Sequence, residues 1–151
     1  MNDDRLTLAG LFFETAAGLA SRLDPALDEA GLSRQWFEVM LRLARTPGHR
    51  LRMSDLASQV TLTASGLTRV VDRLEAGGFV VRLACPEDRR GAYAELTPAG
   101  LARLESVLPT HVAQIDEHLI GLLSSRDRQQ LERILRRVRD HVHPGGATGT
   151  C

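Results

Sequence analysis

Apolar residues recur along this chain at the three- and four-residue spacing of helices buried on one side, and the rhythm breaks at a few well-marked places. Leu6, Leu11, Phe12, Leu19, Leu23 and Leu27 predict a long first helix, which Asp24-Pro25 should kink or restart and Gly31 should end. Ser33 then caps a second helix carrying Phe37, Met40, Leu41 and Ala44, stopped by Thr46-Pro47-Gly48. A short third helix is expected to start at Ser54 and to turn Leu56, Ala57 and Val60 inward. After a turn at Thr61-Leu62-Thr63, Thr63 caps a fourth helix, in which Leu67, Val70, Val71 and Leu74 form one continuous apolar stripe. Gly77-Gly78 supplies its left-handed end.

Beyond Gly78 the pattern turns from helical to extended. Phe79-Val80-Val81-Arg82-Leu83 is too short and too β-branched for another helix, and Ala92-Tyr93-Ala94-Glu95-Leu96 is its partner strand. The polar stretch from Cys85 to Gly91 closes the hairpin, with Asp88-Arg89-Arg90-Gly91 expected at its tip. Thr97-Pro98 pairs an N-cap with a proline at the first helical position and launches a further helix. Its seam of Leu101, Leu104, Leu108, Val112, Ile115, Leu119 and Leu122 suits packing against a partner helix, with a bend expected at Pro109. Ser124, with Asp127 three residues on, opens a last helix whose stripe is Leu131, Ile134, Leu135, Val138 and Val142; Glu132 and Arg136 form an ion pair on its polar side. The Gly- and Thr-rich end, Pro144 to Cys151, is expected to be disordered.

Helix, turn, helix, hairpin, helix is the winged-helix order. The expected fold class is therefore mainly α with a two-stranded wing. One domain is expected over 1–143, with the winged helix at 48–97, flanking dimerisation helices at 1–47 and 98–143, and a tail at 144–151. The exposed face of the fourth helix carries Ser65, Thr68, Arg69 and Asp72, with Arg73 beside them and Thr63 at its start. Small hydroxyls near the N-terminus let a helix approach a DNA major groove closely, and arginine is the side chain best suited to guanine and to phosphate. Arg89 and Arg90 at the hairpin tip suit the adjacent minor groove, with Asp88 orienting Arg90 through a charge-assisted hydrogen bond. The plain alternative is a solvated turn, and its position directly after a helix-turn-helix argues against that.

Two stretches carry a family resemblance. The run Asp88-Arg89-Arg90-Gly91-Ala92-Tyr93-Ala94-Glu95-Leu96-Thr97 resembles the D-x-R…L-T wing signature of MarR-type transcriptional regulators. Leu67-Thr68-Arg69-Val70-Val71-Asp72-Arg73-Leu74-Glu75-Ala76-Gly77-Gly78-Phe79-Val80 resembles their recognition helix and its exit. Both motifs occur in the right order, and the resemblance extends over nearly the whole chain. It implies an obligate homodimer, a pseudo-palindromic operator in double-stranded DNA, and often a small anionic or aromatic effector that weakens DNA binding. Independently, the flanking stripes hold more apolar surface than a winged helix of 45 residues (53–97) can cover, which favours a dimer over packing within one chain alone. Two readers related by a two-fold axis would address half-sites roughly 10 bp apart.

Composition modifies this picture at one point. With 151 residues, 43% hydrophobic and 25% charged, the chain suffices for one core, but its formal net charge of zero is unusual for a DNA binder. Distribution softens the objection: between Arg50 and Gly91 seven arginines stand against five acids. No apolar run approaches the roughly 20 residues that span a bilayer, and Asp3 and Asp4 replace the basic start of a signal peptide, so a cytoplasmic protein without membrane contact is expected. Cys85 and Cys151 suit neither a disulfide framework nor a metal site, and no cofactor or metal is expected from histidines spaced as His111, His118, His141 and His143 are.

Two other functions compete. Cys85, beside Pro86 and between Arg82 and Arg89, would be an oxidant sensor if those charges activated its thiol, or else a small apolar filler. The same helix face would dock a protein instead of DNA, although the arginines of the reader and wing weigh against it. Enzyme chemistry is not expected, because there is no Gly-rich phosphate loop, no G-x-S-x-G elbow and no evident Cys–His constellation. For an effector cleft between the first two helices and the reader, Phe12, Phe13, Trp36, Phe37 and Met40 are candidates, with plain packing as the alternative.

Overall fold

Four of the expected caps form, and they set the frame on which everything else hangs. The computed structural model describes residues 3–60, 62–85 and 88–143, with the backbone alone at 88–90; the expected disorder of 144–151 lies outside the described residues. Helix α1 runs over Asp4–Glu29 and α2 over Arg34–Ala44, the latter opened by Ser33, whose hydroxyl accepts the Trp36 N–H at 3.3 Å. Strand β1 (Arg50–Arg52) leads into α3 (Met53–Gln59), and α4 (Ala64–Ala76) begins where Thr63 Oγ1 accepts the Gly66 N–H at 3.1 Å. The chain reverses at Gly78, whose φ of 74° a side chain would oppose, into β2 (Val80–Cys85) and β3 (Asp88–Leu96). Helices α5 (Pro98–His118) and α6 (Ser125–Val142) complete the order, each with the predicted cap at Thr97 and Ser124.

All three strands are antiparallel in the order β1-β3-β2, with Arg82 opposite Ala94 and Arg52 opposite Tyr93. Val80, Ala94 and Leu96 from the sheet join Met40, Leu43, Leu56, Val71, Leu74 and Leu104 from the helices in one buried cluster. The whole α4 stripe, Leu67, Val70, Val71 and Leu74, lies inside it. At the base of α5, Thr97 Oγ1 donates to the Gly78 carbonyl at 2.7 Å and its N–H donates to the Phe79 carbonyl at 3.0 Å. A Cβ on Gly100 would fall 2.1 Å from that same Phe79 oxygen, so only glycine lets the first turn of α5 sit there.

Several expectations are corrected. Helix α3 starts at Met53, not Ser54: β1 runs up to Arg52, which takes the N-cap position without a side-chain bond, and Ser54 Oγ donates instead to Asp55. The third strand itself was not predicted, because three residues are too few to show alternation. The wing is tighter than expected. β3 already begins at Asp88, paired with Cys85 across an irregularity at Ala84/Cys85, so Asp88 to Gly91 belong to the strand. Each residue added to the ladder pairs backbone groups that a loop would leave to water. Finally, α1 is continuous through Pro25, so the expected restart does not occur there, and α5 likewise runs unbroken through Pro109. Both prolines lie on exposed positions, where water can reach the carbonyl deprived of its N–H partner.

Along the first half of α1 and along α6, burial stops. Leu6, Leu8, Leu11, Phe12 and Phe13 of α1 are exposed, and α6 has no buried residue at all, leaving Ile134, Leu135, Val138 and Val142 in solvent. Among the described residues, no helix is long and apolar enough to cross a membrane.

Candidate nucleic-acid interface

Burying the Leu67 stripe turns the opposite side of α4 outward, and Ser65, Thr68, Arg69, Asp72 and Arg73 are all exposed there. The hydroxyls lie close against the helix: Thr68 Oγ1 donates to the Ala64 carbonyl at 3.0 Å, and Ser65 Oγ lies 3.3 Å from Thr63 Oγ1. Thr63 is committed to the cap. Arg69 and Arg73 differ from these, because among the described residues neither guanidinium has a hydrogen bond or an ion pair. The first turn holds no acid, so the positive end of the helix dipole is uncancelled there. Two free planar cations beside such a helix start are suited to phosphate oxygens and base edges.

A third arginine, which sequence reasoning passed over, is fully engaged. Arg82 on β2 reaches back to α4, placing Nη1 2.7 Å from Glu75 and Nη2 2.6 Å from Asp72. Desolvation acts to lower its pKa, but the hydrogen bonds to Asp72 and Glu75 outweigh it and hold the value above the ordinary one. Nothing in the sequence marks this pairing, since the partners lie seven and ten positions away across a Gly-Gly reversal. The same engagement bears on Cys85. Its thiol is 4% exposed, and the Arg82 guanidinium expected to activate it is turned to α4 instead.

At the wing, the structure describes the backbone of Asp88, Arg89 and Arg90, and the expected Asp88–Arg90 contact lies outside the described side chains. Lower on the same sheet is a basic cluster missed by the sequence reading. Arg52 Nε donates to the Tyr93 hydroxyl at 3.2 Å, and the Arg50 and Arg52 guanidiniums lie 5.5 and 5.6 Å from the Tyr93 ring centre.

The five aromatic and apolar effector candidates are not gathered in one place. Phe12 and Phe13 meet edge-on at 5.6 Å on the exposed first half of α1, whereas Phe37 and Met40 are core residues and Trp36 is half-buried. A cleft of about 280 Å³ between α1 and α5, lined by Leu27, Glu29, Ser106, Thr110 and His111 among others, includes none of the five. His111 packs on Phe37 at 4.4 Å, and burial lowers its pKa, with the Arg34 guanidinium adding to the effect and Asp24 opposing it. Among the described residues no group of three or more His, Cys, Asp or Glu could hold a metal.

Comparison with known proteins places this geometry. A model of the MarR family matches residues 30–91. AbsC of Streptomyces coelicolor, a MarR family transcriptional regulator, is 32% identical and superposes with a TM-score of 0.87 over 94% of this chain and 96% of its own. Sco3205 of the same organism, a MarR family regulator solved in complex with DNA, is also 32% identical, with a TM-score of 0.87 over 93% of this chain and 89% of its own. The HTH-type transcriptional regulator MhqR of Bacillus subtilis is 34% identical over 57% of this chain, which spans 59% of that relative's length.

Proposed function

The chain belongs to the MarR family of transcriptional regulators, which are not enzymes, and from that premise we propose that it acts as a homodimeric repressor binding a pseudo-palindromic operator. The observation that carries this reading is the pair of exposed, unengaged guanidiniums, Arg69 and Arg73, on the outer face of α4. In the proposed complex α4 enters the major groove, with Ser65 and Thr68 at closest approach, Thr63 at the helix start, and Arg69 and Arg73 on phosphates or guanine edges. Arg89 and Arg90 extend from the wing to the minor groove, oriented by Asp88. That Sco3205 was solved with DNA supports the assignment.

The dimer is supported by the uncovered stripes of α1 and α6, which a second copy would bury. A small aromatic or anionic effector that weakens DNA binding completes the reading, and the cleft beside His111 is at the small end of the size range of ligand pockets. Titrating a labelled duplex from the gene's own upstream region at several salt concentrations tests the central claim. Affinity should fall steeply with salt as phosphate contacts release counterions, and a flat response would refute DNA binding. A thermal-shift series with aromatic acids tests the effector: stabilisation by one of them supports it, and none by any of them removes its support.

A further inference from the structure

We propose that Arg82 is the positioning residue that locks the wing to the reading helix, so that discrimination of the operator from other DNA depends on it. The inference rests on α4 being the reading helix. Arg82 stands on β2 opposite Ala94, the residue of β3 that leads back to the wing tip. From there one side chain takes hold of two turns of α4: Nη1 donates to Glu75 at 2.7 Å, and Nη2 pairs with Asp72 at 2.6 Å and donates to the Thr68 carbonyl at 3.2 Å. Its backbone N–H donates to the second oxygen of Glu75 at 3.0 Å. Glu75 is thereby bridged to both the main chain and the side chain of the same strand residue.

The covalent connection between these two elements is Gly77-Gly78, a pair that resists twisting weakly. The shared core of Val71, Leu74 and Val80 holds the base of the junction, and polar contacts brace its two sides. Thr97 braces the α5 side of the junction by its bond to the Gly78 carbonyl, and Arg82 braces the side facing DNA. The reader and the wing address different grooves, so an operator is recognised only when both are seated at once. A rigid pair selects one spacing, whereas a slack pair accepts many and loses the advantage of preorganisation. Contacts to the phosphate backbone of unrelated DNA tolerate that slack. The clamp sits at the rim of the interface, with the Arg82 side chain 25% exposed against 55% for Asp72, so it acts through the angle it sets. Lysine cannot substitute, because a single ammonium lacks the planar fork that spans these acceptors.

The test compares wild type, R82K and R82M/E75Q on two duplexes, the operator defined by footprinting the upstream region and a scrambled duplex of equal composition. R82M/E75Q removes one positive and one negative charge, and R82K removes none, so local net charge is constant throughout. Operator affinity is expected to fall roughly tenfold in R82M/E75Q and several-fold in R82K, as loss of charge-assisted contacts implies. Binding to the scrambled duplex should stay within about twofold of wild type, with an unchanged salt slope. Undiminished discrimination in the folded variants overturns the proposal, as does an equal loss on both duplexes, which would make Arg82 a phosphate contact. Thermal unfolding identifies a variant that does not fold; R82K, which keeps the charge, then decides. A wild-type protein with no preference for its operator would instead refute the assignment of α4 as reader.

Discussion

Helices α4 and α6 carry the same kind of apolar stripe and meet opposite fates. Leu67, Val70, Val71 and Leu74 of α4 are buried to the last residue, while Ile134, Leu135, Val138 and Val142 of α6 are exposed and Leu131 is half-buried. Periodicity states that a face wants cover; it is silent about what covers it. For α4 the cover is local, because β2, α2 and α3 pack around it within the same chain. For α6 nothing among the described residues buries Ile134, Leu135, Val138 or Val142, and each such side chain left in water forgoes about 1.5–3 kcal/mol. The half that holds α4 is thus finished within one chain, and in the proposed dimer a second copy would finish the other.

The contrast breaks most sharply at Leu74. Leu74→Ala should lower unfolding free energy by about 2–5 kcal/mol through the cavity it leaves, and denaturant titration should show the loss at every protein concentration. The matching change on α6, I134E/L135E, should leave the winged helix folded yet give a monomer in sedimentation velocity, with operator affinity reduced roughly 10²-fold or more as paired half-sites are lost. An intact dimer in that variant would assign the α6 stripe elsewhere. Within the reader, Arg69→Ala or Arg73→Ala should cost about 1–3 kcal/mol of binding if the guanidinium reads a base, measured as relaxed selectivity at that position. Wild-type binding by both variants would discard the site.

The smallest effect concerns His111, where the two halves meet. Burial, with Arg34, holds its pKa below the ordinary 6.5, so the unfolded chain takes up this proton more readily than the folded one. Wild type should therefore lose stability relative to His111→Leu as pH falls below about 6.5, with a constant difference above it. Denaturation curves for the pair at pH 5 and pH 8 check this, and parallel behaviour would show that the ring titrates as if in water.

What the sequence discloses follows the range of the interactions involved. Ser33, Thr63, Thr97 and Ser124 were readable as caps because each bonds an N–H three residues on, a distance the sequence displays. The restart expected at Pro25 does not occur, because the cost of an internal proline depends on whether the orphaned carbonyl meets water, which is a tertiary fact. The start of α3 shifted for a similar reason, since β1 pairs with a strand some forty residues later. In the candidate site, Arg69 and Arg73 were legible from the face they share. Arg82 was not: on a strand it looks solvated, and only the reversal at Gly78 brings it over Asp72 and Glu75.

Gly100 gives the molecule a mechanical character. Helix α5 is a bar about 30 Å long whose first turn stands on bare backbone, at the Phe79 carbonyl, with no side chain between them to act as a cushion. Its remaining length lies along α1, on the side where the apolar faces are uncovered. A displacement of a few ångströms at the far end of such a bar is a rotation of a few degrees at its fulcrum. That fulcrum is the joint through which α4 passes into the wing.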